Sequence, residues 1–170
     1  MSFLDRFLSG SKSKAEATGA LSAPLKGRVV PLEQVPDAAF SGKILGDGIA
    51  IEPSEGLLVS PVNGEVVQIF RTNHAVGFLS DDGVEVLLHI GIDTVKMNGE
   101  GFRAHVKAGD KVKAGDKLVE FDLDLVRAKA KSTITPIVVT NMDAIASVET
   151  LRSGEVAHGQ DLLRVTPKKA

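Results

Sequence analysis

The sequence predicts an all-β protein: an antiparallel sandwich or barrel-like fold with a duplicated hybrid motif and short helical segments. Three observations predict it. Short runs rich in Val, Leu and Ile alternate with Gly-containing turn signals such as Asp81-Asp82-Gly83 and Asn98-Gly99. Aromatics are only 4% of the 170 residues, so branched aliphatics, which favour strands, must supply the core bulk. Finally, the chain echoes itself. Ala23-Pro24-Leu25-Lys26-Gly27-Arg28-Val29-Val30 shares a frame with Ser60-Pro61-Val62-Asn63-Gly64-Glu65-Val66-Val67, and Val112, Gly115 and Leu118 recur in spacing as Val156, Gly159 and Leu162. Two echoes indicate a duplicated motif; a solenoid needs more copies.

The elements follow in order. Residues 1–22 read as a flexible tail ahead of a single domain over residues 23–170. Within the tail, Phe3, Leu4, Phe7 and Leu8 fall on one helical face, with Lys12 and Lys14 following. This predicts a short amphipathic helix, either making weak contact with an anionic membrane surface or fraying as a tail packed on nothing. Ser9 to Ser22 is Ser-, Lys-, Ala- and Gly-rich, as linkers are. No run approaches the ~20 apolar residues of a membrane span, and the start lacks the apolar core of a secretory signal. Strands are predicted over Lys26–Pro31, Ile49–Glu52, Leu57–Val59, Gly64–Phe70, Ala75–Leu79, Val84–Ile90, Lys117–Asp122, Ile134–Thr140 and Asp161–Val165. A helix is predicted over Leu123–Lys131, capped by Asp122 or Asp124.

Composition excludes several kinds of chemistry. There is no Cys, hence no disulfide, thiolate metal site or cysteine nucleophile. The 22 acidic and 20 basic residues nearly cancel, which leaves no nucleic-acid footprint. For chemistry near neutral pH the four histidines come first. His105 and His158 lie in polar, turn-rich surroundings and read as surface residues. His74 and His89 flank a predicted hairpin. Most simple registers put them directly opposite or diagonal on one face, while an odd loop of Asp81-Asp82-Gly83 alone would put them on opposite faces. Alternation assigns Val84, Val86, Leu88 and Ile90 to the core and groups His89 with Glu85 and Leu87, and His74 with Val76 and Phe78. Burial and mutual repulsion would keep both rings neutral. One could then act as a nucleophile and the other donate to an anionic oxygen, with the Thr72 hydroxyl close by.

The chain resembles the glucose-type enzyme IIA component of the bacterial phosphoenolpyruvate-dependent sugar phosphotransferase system. Carrying the resemblance are Val35-Pro36-Asp37, Gly46-Asp47-Gly48-Ile49-Ala50-Ile51, Thr72-Asn73-His74-Ala75, His89 with Gly91-Ile92-Asp93-Thr94-Val95, Gly99-Glu100-Gly101-Phe102, Glu120-Phe121-Asp122 and Asn141-Met142-Asp143. The match runs over essentially the whole chain. It implies a β-sandwich in which His89 is phosphorylated on a ring nitrogen, His74 stabilises the phosphoryl oxygens and Thr72 supports it. Phosphate would come from the histidine-containing phosphocarrier protein (HPr) and leave for a cysteine on the EIIB domain of a sugar permease. Phe40, Ile44, Leu45, Val76, Phe78, Leu87 and Val95 would form an apolar docking rim, with Asp37 and Asp93 meeting basic groups on partners. Enteric members carry bulkier aromatics where Val76 and Leu87 stand, which implies a shallower face here. No cofactor is required. The resemblance further implies regulatory binding of permeases or glycerol kinase by the unphosphorylated form, with zinc held by His74 and His89 only together with a partner carboxylate. It places the protein in the cytoplasm, peripheral at most to the membrane.

Three rival readings remain at this level. A zinc metallopeptidase on a related fold needs about three protein ligands, and no His-x-His segment exists. A lipoyl or biotinyl carrier, suggested by Val106–Phe121, needs a lysine at a hairpin tip, and the Asp81-Asp82-Gly83 tip has none. A purely structural interaction module would transfer no phosphate.

Overall fold

The computed structural model describes residues 20–169. The predicted amphipathic helix and its membrane contact lie outside them. Fourteen strands follow in chain order: β1 (Ala20–Ser22), β2 (Gly27–Val30), β3 (Asp47–Pro53), β4 (Leu57–Val59), β5 (Gly64–Ile69), β6 (Ala75–Ser80), β7 (Glu85–His89), β8 (Phe102–Ala104), β9 (Lys111–Val112), β10 (Lys117–Phe121), β11 (Thr135–Val139), β12 (Ile145–Thr150), β13 (Glu155–Val156) and β14 (Asp161–Pro167). Among the described residues two short helices, α1 (Ala38–Ser41) and α2 (Leu123–Lys129), accompany the strands, together with three 3-10 turns. Asp122 caps α2 by accepting the Leu125 N–H.

All pairings among these strands are antiparallel. The nine predicted strands are all present. The five that alternation missed (β1, β8, β9, β12 and β13) are short, or, like β12, mostly exposed, so they carry little apolar signal. β1 corrects the tail boundary. Ala20–Ser22 pairs with β14 and Leu21 is buried, so the sheet begins inside the segment read as linker.

The duplication organises the whole molecule. The eight-stranded sheet runs β13-β2-β3-β11-β7-β6-β5-β9, which reads the same from its centre outward in both directions. Gly27 opposes Val156 as Gly64 opposes Val112. Leu21 opposes Leu163 on β1–β14 as Leu58 opposes Val119 on β4–β10. Where the copies meet, the bonds are reciprocal: Ser22 N–H donates to the Pro61 carbonyl at 3.0 Å, and Val59 N–H to the Pro24 carbonyl at 2.9 Å. The glycine in each copy has a steric cause, since a Cβ would lie 2.1 Å from the Glu52 carbonyl oxygen at Gly27 and 2.3 Å from that of Leu79 at Gly64.

The main core joins the inner faces of the sheets, with Phe78, Leu88, Ile90, Ile137, Leu118 and Leu162 fully buried. Each such side chain contributes about 1.5–3 kcal/mol on burial. A smaller cluster (Val30, Leu32, Val35, Phe40, Ala50, Ile92 and Val138) lies beneath the long β2–β3 connection. That connection carries α1 across the sheet to β7.

Candidate functional site

The β6–β7 hairpin closes through Asp81-Asp82-Gly83, with Ser80 N–H donating to the Val84 carbonyl. Ala75 therefore opposes His89, Val76 opposes Leu88 and Phe78 opposes Val86. This is the odd register, which on strict alternation would separate the histidines. Their rings meet nonetheless, with centroids 4.9 Å apart and planes at 77°. The reason is local: His74 precedes β6 and follows Asn73, whose φ is +60°, so it escapes the strand's alternation. Its carbonyl still accepts from Ile90 N–H at 2.7 Å. Asn and Asp tolerate the left-handed region better than other side chains, and Asp93 takes it on the other lip of the site with φ +63°.

Four rings run in a row. Phe70 packs edge-on against His74 at 5.4 Å, His74 against His89, and His89 against Phe40 at 5.3 Å. Thr72 Oγ1 hydrogen-bonds His74 Nδ1 at 2.5 Å. His89 Nδ1 donates to the Gly91 carbonyl at 2.7 Å, so the proton of the neutral ring sits on Nδ1 and Nε2 keeps its lone pair. Burial pulls the His74 pKa down to about 4, with the neighbouring His89 adding to the shift. Burial also lowers that of His89, opposed by the Gly91 bond and then by the carboxylates of Asp37 and Asp93. Both imidazoles are neutral at pH 7.

A family model described as phosphoenolpyruvate-dependent sugar phosphotransferase system, EIIA 1 matches residues 19–145. The chain belongs to that family. Glucose-specific EIIA components of this system from Bacillus cereus and Bacillus anthracis are each 53% identical over 160 residues, spanning 94% of this chain and 95% of theirs. The one from Halalkalibacterium halodurans is 52% identical over 156 residues, covering 89% and 90%. The solved glucose permease IIA from Mycoplasma capricolum superimposes with a TM-score of 0.81 at 41% identity, over 85% of this chain and 93% of that one. The family is a β-sandwich and its members belong to the sugar phosphotransferase system, so the chain has a phosphotransfer role in sugar uptake. The peptidase, lipoyl and structural-module readings give way to this assignment. Among the described residues no group of three or more His, Asp or Glu could hold a metal, and no helix is long and apolar enough to cross a membrane.

The residues expected to form the docking rim divide. Ile44, Leu45 and Val95 are exposed at 75%, 40% and 53%. Val76 and Phe78 are not rim residues: they are fully buried on the core side of β6, because the odd register turns them inward with Leu88 and Val86. The β6 residue that shares the His89 face with Leu87 is Gly77, so this position, not Val76, sets the depth of the face. Phe40 is a buried wall against the His89 ring, and Leu87 is half-buried against the cluster beneath α1. Asp37 caps α1 through the Ala39 N–H at 2.9 Å. Asp93 pairs loosely with Lys96 at 3.8 Å. His105 is exposed and paired with Glu120, whereas His158 is half-buried and donates to the Leu57 carbonyl at 2.9 Å.

Residue-by-residue reading missed Phe70 and the Gly91 carbonyl. Phe70 ended a predicted strand and could have been suspected from its place just before the Thr72-Asn73-His74 turn. A backbone acceptor leaves no side-chain signal.

Proposed function

We propose that His89 Nε2 takes a phosphoryl group from phospho-HPr and hands it to the cysteine thiolate of an EIIB domain. The single observation that carries this reading is the Nδ1–H bond to Gly91, which leaves Nε2 as the lone-pair nitrogen of a neutral ring. In the first step the P–N bond to the carrier histidine breaks as a P–N bond to Nε2 forms, and no proton need move. The His89 ring becomes cationic, and the Gly91 carbonyl with the carboxylates of Asp37 and Asp93 stabilises that charge. In the second step the thiolate takes the phosphoryl group and the electron pair returns to Nε2.

Such transfer through a loose transition state depends on positioning and charge stabilisation. With the Thr72 hydroxyl donating to Nδ1, His74 presents an Nε2–H toward the phosphoryl oxygens. Phe40 and Phe70 at the two ends of the ring row keep water away. Exposed Ile44, Leu45 and Val95 supply the apolar docking face, and Asp37 and Asp93 steer basic partners at the encounter. The same face suits regulatory binding of permeases or glycerol kinase in the unphosphorylated state, with zinc completed by a partner carboxylate. Phosphate would expel such partners by adding about −1.5 to −2 charges.

Incubation with phosphoenolpyruvate, enzyme I and HPr tests the relay. The expected product is an acid-labile, base-stable phosphate absent from His89→Ala; labelling unchanged in that variant would overturn the assignment. Pull-downs with wild type and His89→Asp should recover different proteins, and identical recoveries would remove the regulatory reading.

A further inference from the structure

Both peptides that flank Gly91 are held at both ends. In the first, the Ile90 carbonyl accepts from Thr94 Oγ1 at 2.6 Å, and the Gly91 N–H donates to Thr135 Oγ1 at 3.2 Å. In the second, the Gly91 carbonyl accepts from His89 Nδ1 at 2.7 Å, and the Ile92 N–H donates to the Ser132 carbonyl at 2.9 Å. Thr94 and Thr135 are both 0% exposed. Thr135 gives its own proton to the Thr133 carbonyl at 3.1 Å, so its lone pair faces Gly91. Valine would fill either place, but it would leave the Gly91 N–H or the Ile90 carbonyl without its hydroxyl partner. Two such hydroxyls converge on one peptide. Glycine is required at the centre: φ is +67°, and a Cβ would lie 2.8 Å from both the Ser132 carbonyl oxygen and Thr94 Cγ2.

We propose that Thr94 and Thr135 are positioning residues that decide which nitrogen of His89 carries the proton. The inference rests on the reading that His89 is the phosphoryl acceptor. Neither threonine reaches the reacting atom; both act through Gly91, by holding the peptide that precedes it. With the Ile90–Gly91 peptide clamped, Gly91 is fixed in its left-handed turn, so the carbonyl of the next peptide faces Nδ1 and the Nδ1–H tautomer is kept. Once a hydroxyl is lost, the first peptide loosens, Gly91 shifts, its carbonyl moves off Nδ1, and the Nε2–H tautomer gains a share. That form has no lone pair on Nε2 and cannot attack phosphorus, so the rate falls with the competent fraction.

Two-bond proton–nitrogen correlations of the full-length, ¹⁵N-labelled, unphosphorylated protein at neutral pH report the tautomer directly. Wild type should show His89 protonated on Nδ1. Thr135→Val and Thr94→Val should each show a mixture, and Thr135→Ser should restore the wild-type signature. Phosphoryl acceptance from phospho-HPr should fall about threefold to tenfold in turnover in the valine variants, at unchanged half-saturating HPr, and recover in the serine variant. Folded valine variants with the wild-type tautomer would overturn the proposal. Failure of both valine variants to fold would also overturn it, since the hydroxyls would then serve the fold. A clamp-dependent tautomer in a protein that accepts no phosphate would uphold the clamp and retire the relay reading.

Discussion

The two copies of the duplicated frame share strand order, register and even their glycines, yet only one carries the facing histidine pair. In the β9-β5-β6-β7 half, His89 opposes Ala75; in the β13-β2-β3-β11 half the corresponding pair is Val138 and Gly48. His74 has Asp47 as its counterpart, just as Ile90 has Val139. The connections differ most. Between β5 and β6 the chain turns within residues 70–74, which places Phe70, Thr72 and His74 together. Between β2 and β3 it takes residues 31–46, lays α1 over the sheet and delivers Asp37 and Phe40 to the same site. The difference teaches that the repeated strands supply rigidity, while the candidate site grows where the copies stopped matching. Functional constellations placed on such a rigid frame are held more accurately than on loops alone.

The comparison is broken most decisively at its unique residue. His89→Ala should lose acid-labile phosphate down to background, on the order of a thousandfold or more, while remaining folded. Radiolabel transfer from phosphoenolpyruvate reads this. The shared frame should instead respond symmetrically. Leu118 and Leu162 are counterparts and both fully buried, so each alanine replacement should cost about 2–5 kcal/mol in urea unfolding. Values differing by more than about 2 kcal/mol would show that one copy carries more of the stability.

A subtler asymmetry should appear in His74→Gln. It should still load phosphate from HPr but pass it to EIIB about tenfold more slowly, because the amide cannot reproduce the Thr72-oriented imidazole. Equal rates in both directions would remove His74 from the transfer step.

Acidification offers a further contrast. The pKa of His74 is about 4 in the folded protein against an ordinary 6.5. The unfolded chain therefore binds more protons between these values, and stability rises with pH across that window. The stability present above pH 6.5 should be lost progressively as pH falls toward 4, and His74→Gln should flatten that slope. Urea midpoints at pH 7 and pH 4.5 measure it.

The smallest expected effect is a gain. Gly77 has an ordinary backbone, and an added Cβ would meet Val67 Cγ2 at 3.7 Å, a normal contact. Gly77→Ala should raise stability by about 0.5–1 kcal/mol, in contrast to Gly27 and Gly64, where a Cβ strikes a carbonyl.

The sequence by itself determined much of this. Apolar runs and turn signals placed nine strands and α2, with its cap narrowed to Asp122 or Asp124, because burial selects residues with the period of the element that buries them. The echoes at Gly27/Gly64 and Val112/Val156 already contained the two-fold plan, and the motifs around His74 and His89 pointed to the family. Only the tertiary structure decided the rest. Whether a hairpin loop holds two or three residues changes which face every side chain takes, so Val76 and Phe78 entered the core although they share the parity of His74. The rings meet because Asn73 turns the backbone just before β6 begins, a conformation that pattern does not encode. And the proton on His89 is placed by the Gly91 carbonyl, in a turn that Thr135 of a distant strand also holds.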